Sequence, residues 1–580
     1  MKPSLPLIAI MGLFLVACHT DSIETTEDPV ETSSAASIGE DDFIERTTFN
    51  RTITITWTEN SASVDGDEDG FVSINGTRVT VDSRSDTTKV VKYILSGTCP
   101  DGSFKLYSLR KQALVLKALN LTNSGGAAIN NQSHKRTFVV IDGVSALYDG
   151  ALNEKGDYPD AVEDEDLKAA FFSEGQLIFS GNGGLSVVSQ GKSGITSDDY
   201  LRFLGTGLVS STSYSGHAIR GKDAVQIEDG TVAASTFADG KKGISSDGPV
   251  TINGGTVRIG IHSGVLVETT DDGTELTGSA GIKSDGTFTM TGGLLDIANE
   301  GQGGKGISGD GDGFISGGTI TVSAYGANYG TSSNGYGPRM APGWPGGPGG
   351  MEGNQDSSNS KSAKGIKFDG NLTISDGIIT VSSTSHEAIE CKGKLTVTGG
   401  TVFAKSESDD AINSGGDMNL TGGYICGYST GNDGMDANGD LTIDGATVYA
   451  ISTKGTPEVA IDANSEGGKK LYVKSGTMIA VGGIESGSSI TGSAYSTTGW
   501  TKNKWHTLYD ANDNLSVSFK TPSGGSSLIV YHNGRDVTFK SNVSLDNNDT
   551  IWNGWGYLES VSGGDELSLS KYSGGGGFFR

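Results

Sequence analysis

Gly365-Ile366-Lys367, Ala388-Ile389-Glu390, Ala411-Ile412-Asn413 and Gly434-Met435-Asp436 are four copies of one pattern, each 23 residues after the last. About ten residues after each copy stands a small pair, Asp376-Gly377, Gly399-Gly400, Gly422-Gly423 or Asp444-Gly445, followed by a short β-branched run. A fixed period in the twenties, carried by runs too short to stand alone, is the mark of a stacked solenoid with one repeat per coil. Looser copies at Gly194-Ile195, Ala218-Ile219, Gly243-Ile244, Gly281-Ile282, Gly306-Ile307 and Ala460-Ile461 extend it to roughly ten coils over about 190–480.

Within a coil the apolar residues alternate, as in Leu372-Thr373-Ile374 and Ile379-Thr380-Val381. Short alternating runs bounded by Gly and Asn/Asp predict strands with one face inward. Ninety glycines fit a chain that must bend several times per coil. A leucine-rich horseshoe would need Leu-rich spacing and helical stretches, which the repeats lack. The predicted fold is therefore all-β, a parallel β-helix over 46–485. Residues 486–580, where Trp500, Trp505, Trp552 and Trp555 concentrate, are expected to form a β cap, because an open coil end leaves unpaired strand edges.

Charge narrows the partners. With 69 acidic against 42 basic residues the chain carries −27, which argues against nucleic acid or anionic lipid and for cations or cation-bridged ligands. Near the start, Lys2, an apolar run from Leu5 to Val16, and Leu15-Val16-Ala17-Cys18 resemble the lipobox of bacterial lipoproteins, in which the Cys is acylated. The alternative is an ordinary signal peptide with an incidental cysteine. Residues 1–18 would be the signal and 19–45, acidic and Ser/Thr-rich, a disordered tether. Acidic residues soon after the lipidated Cys also resemble the export signal of Bacteroidota surface lipoproteins, which implies an outer-membrane lipoprotein exposed at the cell surface.

Cys99, Cys391 and Cys426 are too few and too separated for a disulfide framework or zinc site, and Cys391 and Cys426 are expected in solenoid slots that Ser or Val fill elsewhere. A Gly/Pro-rich stretch at 324–364 has no periodicity and is expected to be an extruded loop, in which Tyr336 and Trp344 could stack on sugars or simply face solvent.

Several segments together resemble the bacterial β-helix carbohydrate-binding domains typified by a clostridial cell-surface protein that binds polygalacturonic acid. They are Asn75-Gly76, the stretch from Ala127 to Gln132, Lys168 to Gly175 with its Ala-Phe-Phe-Ser-Glu-Gly, Gly194 to Asp199, and the repeated Gly-Ile-x-Ser-Asp-Gly units. The likeness spans about 50–480. It implies a right-handed parallel β-helix of the pectate-lyase kind, calcium binding, and recognition of acidic polysaccharide by a monomer without known catalysis.

The strongest chemical constellation lies in the late coils. Lys364, Glu387, Asp410 and Asp433 precede the Ala/Gly step in successive coils, and Lys367, Glu390, Asn413, Asp436 and Asp462 follow the apolar residue. Equal positions in neighbouring coils stack about 4.8 Å apart, where like charges repel by roughly 3 kcal/mol at a dielectric near 20. Calcium, taking six to eight oxygens, would neutralise them. The expected ligands are Glu387, Glu390, Asp409, Asp410, Asn413, Asp433, Asp436 and Asp462; an Asx ladder capping corner amides without metal is the alternative. Lys364, Lys367, Lys392 and Lys394 are candidate contacts for uronate carboxylates, beside a basic strip at Lys241, Lys242, Lys283 and Lys305.

Enzymatic readings stay open on narrower grounds. β-Helix polygalacturonases carry an Asp-Asp pair and a Gly-His-Gly; here Asp409-Asp410 and Gly216-His217-Ala218 stand about six coils apart. A polysaccharide lyase needs only calcium and a base, for which Lys392 is the candidate. A structural adhesin using the rod as a spacer is the third class.

Overall fold

The computed structural model describes residues 34–573 apart from 36, 271–272 and 331–359. The expected signal peptide, its Cys18, and Tyr336 and Trp344 lie outside these residues. Among the described residues the chain is all-β, with three 3-10 turns and no α-helix.

The 23-residue repeat becomes a pairing register. Ile366 pairs with Ile389, Ile389 with Ile412 and Ile412 with Met435, all parallel. These strands belong to a fourteen-stranded sheet that follows chain order from Val72–Asn75 to Met435–Ala437. The remaining strands of each coil enter a 25-stranded sheet, in which Leu372–Ser383 pairs in parallel with both Leu395–Val397 and Thr401–Ser406. The chain thus alternates between two long, largely parallel sheets.

Alternation decides what lies between them. Leu372 and Ile374 are buried while Thr373 between them is partly exposed. Ile195, Ile219, Ile244, Ile282, Ile307, Ile366, Ile389, Ile412, Met435 and Ile461 all lie in one continuous core cluster. Each such side chain contributes about 1.5–3 kcal/mol on burial. At the corner between the two strands that a coil gives to the 25-stranded sheet, the chain needs glycine for two reasons. Gly400 and Gly423 have φ of +80° and +79°, and a Cβ on Gly400 would meet the Gly377 carbonyl oxygen of the previous coil at 2.8 Å.

Parallel pairing starts earlier than the repeats indicate. Arg51–Trp57 already pairs with Val91–Gly97, in coils that lack the Gly-Ile signature. The insertion after Ala324 leaves the register intact: Lys305 pairs with Lys364 and Ile315 with Ile374 across it. The loop is also shorter than expected, since Lys361 bridges Tyr329 and Lys364 begins a strand.

Residues 19–33 of the expected tether lie outside the described residues, and its C-terminal end is ordered rather than disordered. Residues 40–42 and 44–46 form 3-10 turns, and Asp42 is fully buried. Its carboxylate pairs with Arg202 and, at 3.2 Å, with Arg136, whose guanidinium also holds Asp41 at 2.6 Å. Both arginines are buried, so an unpaired guanidinium there would cost several kcal/mol. Composition alone could not reveal this, because the partners lie far along the chain.

The C-terminal region does more than cover the coil end. Leu528–His532 pairs antiparallel with Thr477–Val481 of the last coil. Beyond it, Trp505–Tyr509, Leu515–Lys520 and Thr538–Ser541 build an antiparallel six-stranded sheet with three shorter strands. Its Leu508, Val517, Phe519, Phe539 and Trp552 pack sideways on Phe403, Cys426, Tyr449, Ile451, Ile479 and Val481. Cys391 is in the solenoid core. Cys426 is not: register places it beside Phe403 and Tyr449, beneath this C-terminal unit.

Candidate functional site

Parallel register turns single residues into columns on the fourteen-stranded sheet. One column runs Lys242, Ala280, Lys305, Lys364 and continues, two residues ahead of the paired Ile or Met, as Glu387, Asp410 and Asp433. The second runs Lys283, Ser308, Lys367, Glu390, Asn413, Asp436. Bridges from Met435 to Ile461 and from Ile461 to Ile484 carry it on to Asp462 and Glu485. The same positions are therefore cationic in earlier coils and carboxylate in later ones.

At the seam the charges neutralise each other. Lys364, 4 % exposed, places Nζ 3.1 Å from Glu387 and 2.6 Å from Glu390. His386 contacts Glu387 and lies 2.9 Å from Asp409. Burial alone would lower the His386 pKa, but Glu387 and Asp409 push it up to about 9, so the ring is cationic at neutral pH. Burial likewise opposes ionisation of Glu387, and Lys364 and His386 overcome it and hold that carboxyl below its ordinary range. Glu387, Glu390 and Asp409, three of the expected calcium ligands, thus already have cationic partners from the protein. The ligand atoms of His386, Glu387 and Asp409 all lie within 4.8 Å of one another.

One coil further on, neutral groups donate to the carboxylates. Asn413 Nδ2 donates to Asp410 at 3.0 Å and to Asp436 at 3.5 Å. The Asp433 amide donates to Asp410 at 3.0 Å, and the Val459 amide donates to Asp433. Burial first, then Asp436, Asp409, Asp433 and Glu387, push the Asp410 pKa well above the carboxylate range. Burial and the Glu485 hydrogen bond push Asp462 up to about 10, so Asp462 carries a proton that it donates to Glu485. Asp410, Asp433 and Asp436 bring carboxylate oxygens, the donor type a hard cation takes, to neighbouring coils. The Asp409 oxygen that accepts from the Asp410 amide and from Asn432 has the geometry of an Asx ladder.

The lysines divide differently from expectation. Lys367 and Lys392 both hold Asp369 at 2.6 Å, and Lys364 is buried in the seam; of the four candidates only Lys394 is exposed with no ion pair among the described residues. Lys392 is therefore tied to a carboxylate rather than poised as a base. Of the basic strip, Lys241 and Lys242 have no carboxylate partner among the described residues. Burial, then Lys241, Lys283 and Lys305, lowers the Lys242 pKa to about 8. Beside it, Lys242 N–H donates to His217 Nδ1 at 3.1 Å, and burial followed by Lys242, Lys241 and Arg220 pushes His217 well below its ordinary range.

A family profile described as "Carbohydrate-binding domain-containing protein" matches residues 75–266 and 261–411, more than half of the chain. The chain belongs to this family. The carbohydrate-binding domain includes the basic strip, the seam and the first of the unneutralised carboxylates, Asp410. A comparison with curated proteins finds no match. Among solved structures, a polysaccharide lyase-like protein from C. thermocellum, a gadolinium derivative, matches with 20 % identity over 46 % of this chain and 92 % of that one. Its TM-score is 0.32, too low for any structural argument.

Proposed function

We propose that this protein is a cell-surface lipoprotein that binds acidic polysaccharide of the polygalacturonate kind, without catalysis, through a right-handed parallel β-helix carrying calcium. Support for a polysaccharide ligand comes from the carbohydrate-binding family. The observation that carries the calcium reading is the group Asp410, Asp433 and Asp436, in which Asn413 donates to both Asp410 and Asp436 and the Asp433 amide donates to Asp410. These three would hold the ion, with Asp462 able to join on losing its proton. Glu387, Glu390 and Asp409 serve instead to bind Lys364 and His386. When bound, calcium supplies charge neutralisation and open coordination positions for uronate oxygens.

One assay separates the readings. Polygalacturonate retention should be lowered by a chelator and by Asp410→Ala with Asp433→Ala, with no ultraviolet absorbance from an unsaturated uronate. Absorbance that grows steadily and is lost in Lys392→Ala would make the protein a lyase. No retention of any glycan would leave the rod as a spacer. For anchoring, Cys18→Ser should release the protein from the membrane fraction; acyl label persisting in that variant would refute lipidation at Cys18.

A further inference from the structure

An exposed ring stack stands at the corner just before the basic strip. Tyr214 and Phe237 are stacked at 5.0 Å between centroids, and Phe237 and His262 at 4.5 Å, with planes within 14° and 18°. They occupy equal positions in consecutive coils, since the Phe237 amide donates to Ser213 and the His262 amide to Thr236. Tyr214 and Phe237 are nonetheless 47 % and 44 % exposed. Rings stacked face to face along the coils turn their edges outward, and aromatic edges carry the positive end of the quadrupole.

Four residues separate Phe237 from Lys242. Lys241, Lys283 and Lys305 act on Lys242 as like charges, and Asp285, the carboxylate that acts on it, already holds Lys283 at 2.8 Å. Lys242 Nζ has a carbonyl partner, Gly240 O, and among the described residues no carboxylate. In a chain of −27, where Arg220, Lys283, Lys367 and Lys392 all have acidic partners, ammonium groups grouped without one are a site for an external anion. Their like-charge repulsion is relieved when that anion binds.

We propose that the corner formed by Tyr214, Phe237 and His262 with Lys241 and Lys242 is a second binding site, which takes an anionic polysaccharide by direct ion pairing without a bridging metal. The ring stack spans three consecutive coils beside the two lysines, an extended surface that favours a polymer over a single small anion. The inference rests on the acidic-polysaccharide reading above, but on different residues from the carboxylate group.

The test is calorimetric titration of the full-length protein in chelator with polygalacturonate oligomers, dextran sulfate and neutral dextran, at low and high salt. Expected is salt-sensitive binding of at least one polyanion, weakened at least tenfold in Lys241→Gln/Lys242→Gln, about threefold in Phe237→Ser, and unchanged in Asp410→Asn/Asp433→Asn. The polyanion that binds identifies carboxylate or sulfate as the preferred group. A melting temperature of the double lysine variant at or above that of the native protein excludes misfolding. Affinity within twofold of native in that variant overturns the site. Polyanion binding that appears only when calcium is restored overturns it too, and leaves the calcium reading standing. Binding of neutral dextran alone overturns both.

Discussion

Lys242 and Lys364 occupy the same column, three pairings apart, and their surroundings are opposite. Lys364 is enclosed by Glu387 and Glu390, whereas other cations act on Lys242. One ammonium belongs to the fold and the other works against it. A parallel stack makes this contrast possible: register repeats the position while sequence alone sets the charge, so each coil can be assigned to structure or to ligand separately.

The largest effect should come from breaking the seam. Lys364→Met removes one partner of a buried network and is expected to destabilise by about 3–5 kcal/mol, read as a lower urea midpoint with unchanged slope. A loss below about 1 kcal/mol would mean that Glu387 and Glu390 are satisfied without it. Calcium comes next: if Asp410, Asp433 and Asp436 hold it, the ion adds about 2.7 kcal/mol at a hundredfold excess over Kd. Chelation should then lower the melting temperature of the native protein and not that of Asp410→Asn/Asp433→Asn. An unchanged melt with no calcium by elemental analysis favours the Asx ladder.

The smallest effect has the opposite sign. Lys242→Gln should stabilise at pH 7 by on the order of 1 kcal/mol, because it removes a depressed ammonium. The sign follows from linkage: the folded-state pKa of about 8 lies below the ordinary lysine value, so the unfolded chain binds more protons between them. Native stability therefore rises as pH passes from about 8 towards 10.5, and the variant should lose that rise. Equal pH slopes in urea titrations of both proteins would show that Lys242 is not under electrostatic stress.

Much of the coil architecture was legible before any coordinates. The Ile366, Ile389, Ile412, Met435 series gave the strand pairing directly, because a constant period forces equal residues into register. The carboxylate and lysine columns followed from the same count. Less visible was the lateral docking of the C-terminal unit, although a signal existed. Val402-Phe403-Ala404 and Val448-Tyr449-Ala450-Ile451 lose the alternation of earlier coils, as strands buried on both faces do.

By itself the sequence determined which residues stack, since period and alternation are local and repeat along the chain. Tertiary structure alone decided which charges cancel. Lys364 reaches Glu387 and Glu390 in the next coil, His386 reaches Asp409 one coil on, and Asp42 reaches Arg202 across 160 residues. Whether a side chain in a column bends towards a neighbour or stands beside its own kind depends on burial and on contacts distant in sequence. That difference separates the cations that hold the coils together from those left for a ligand.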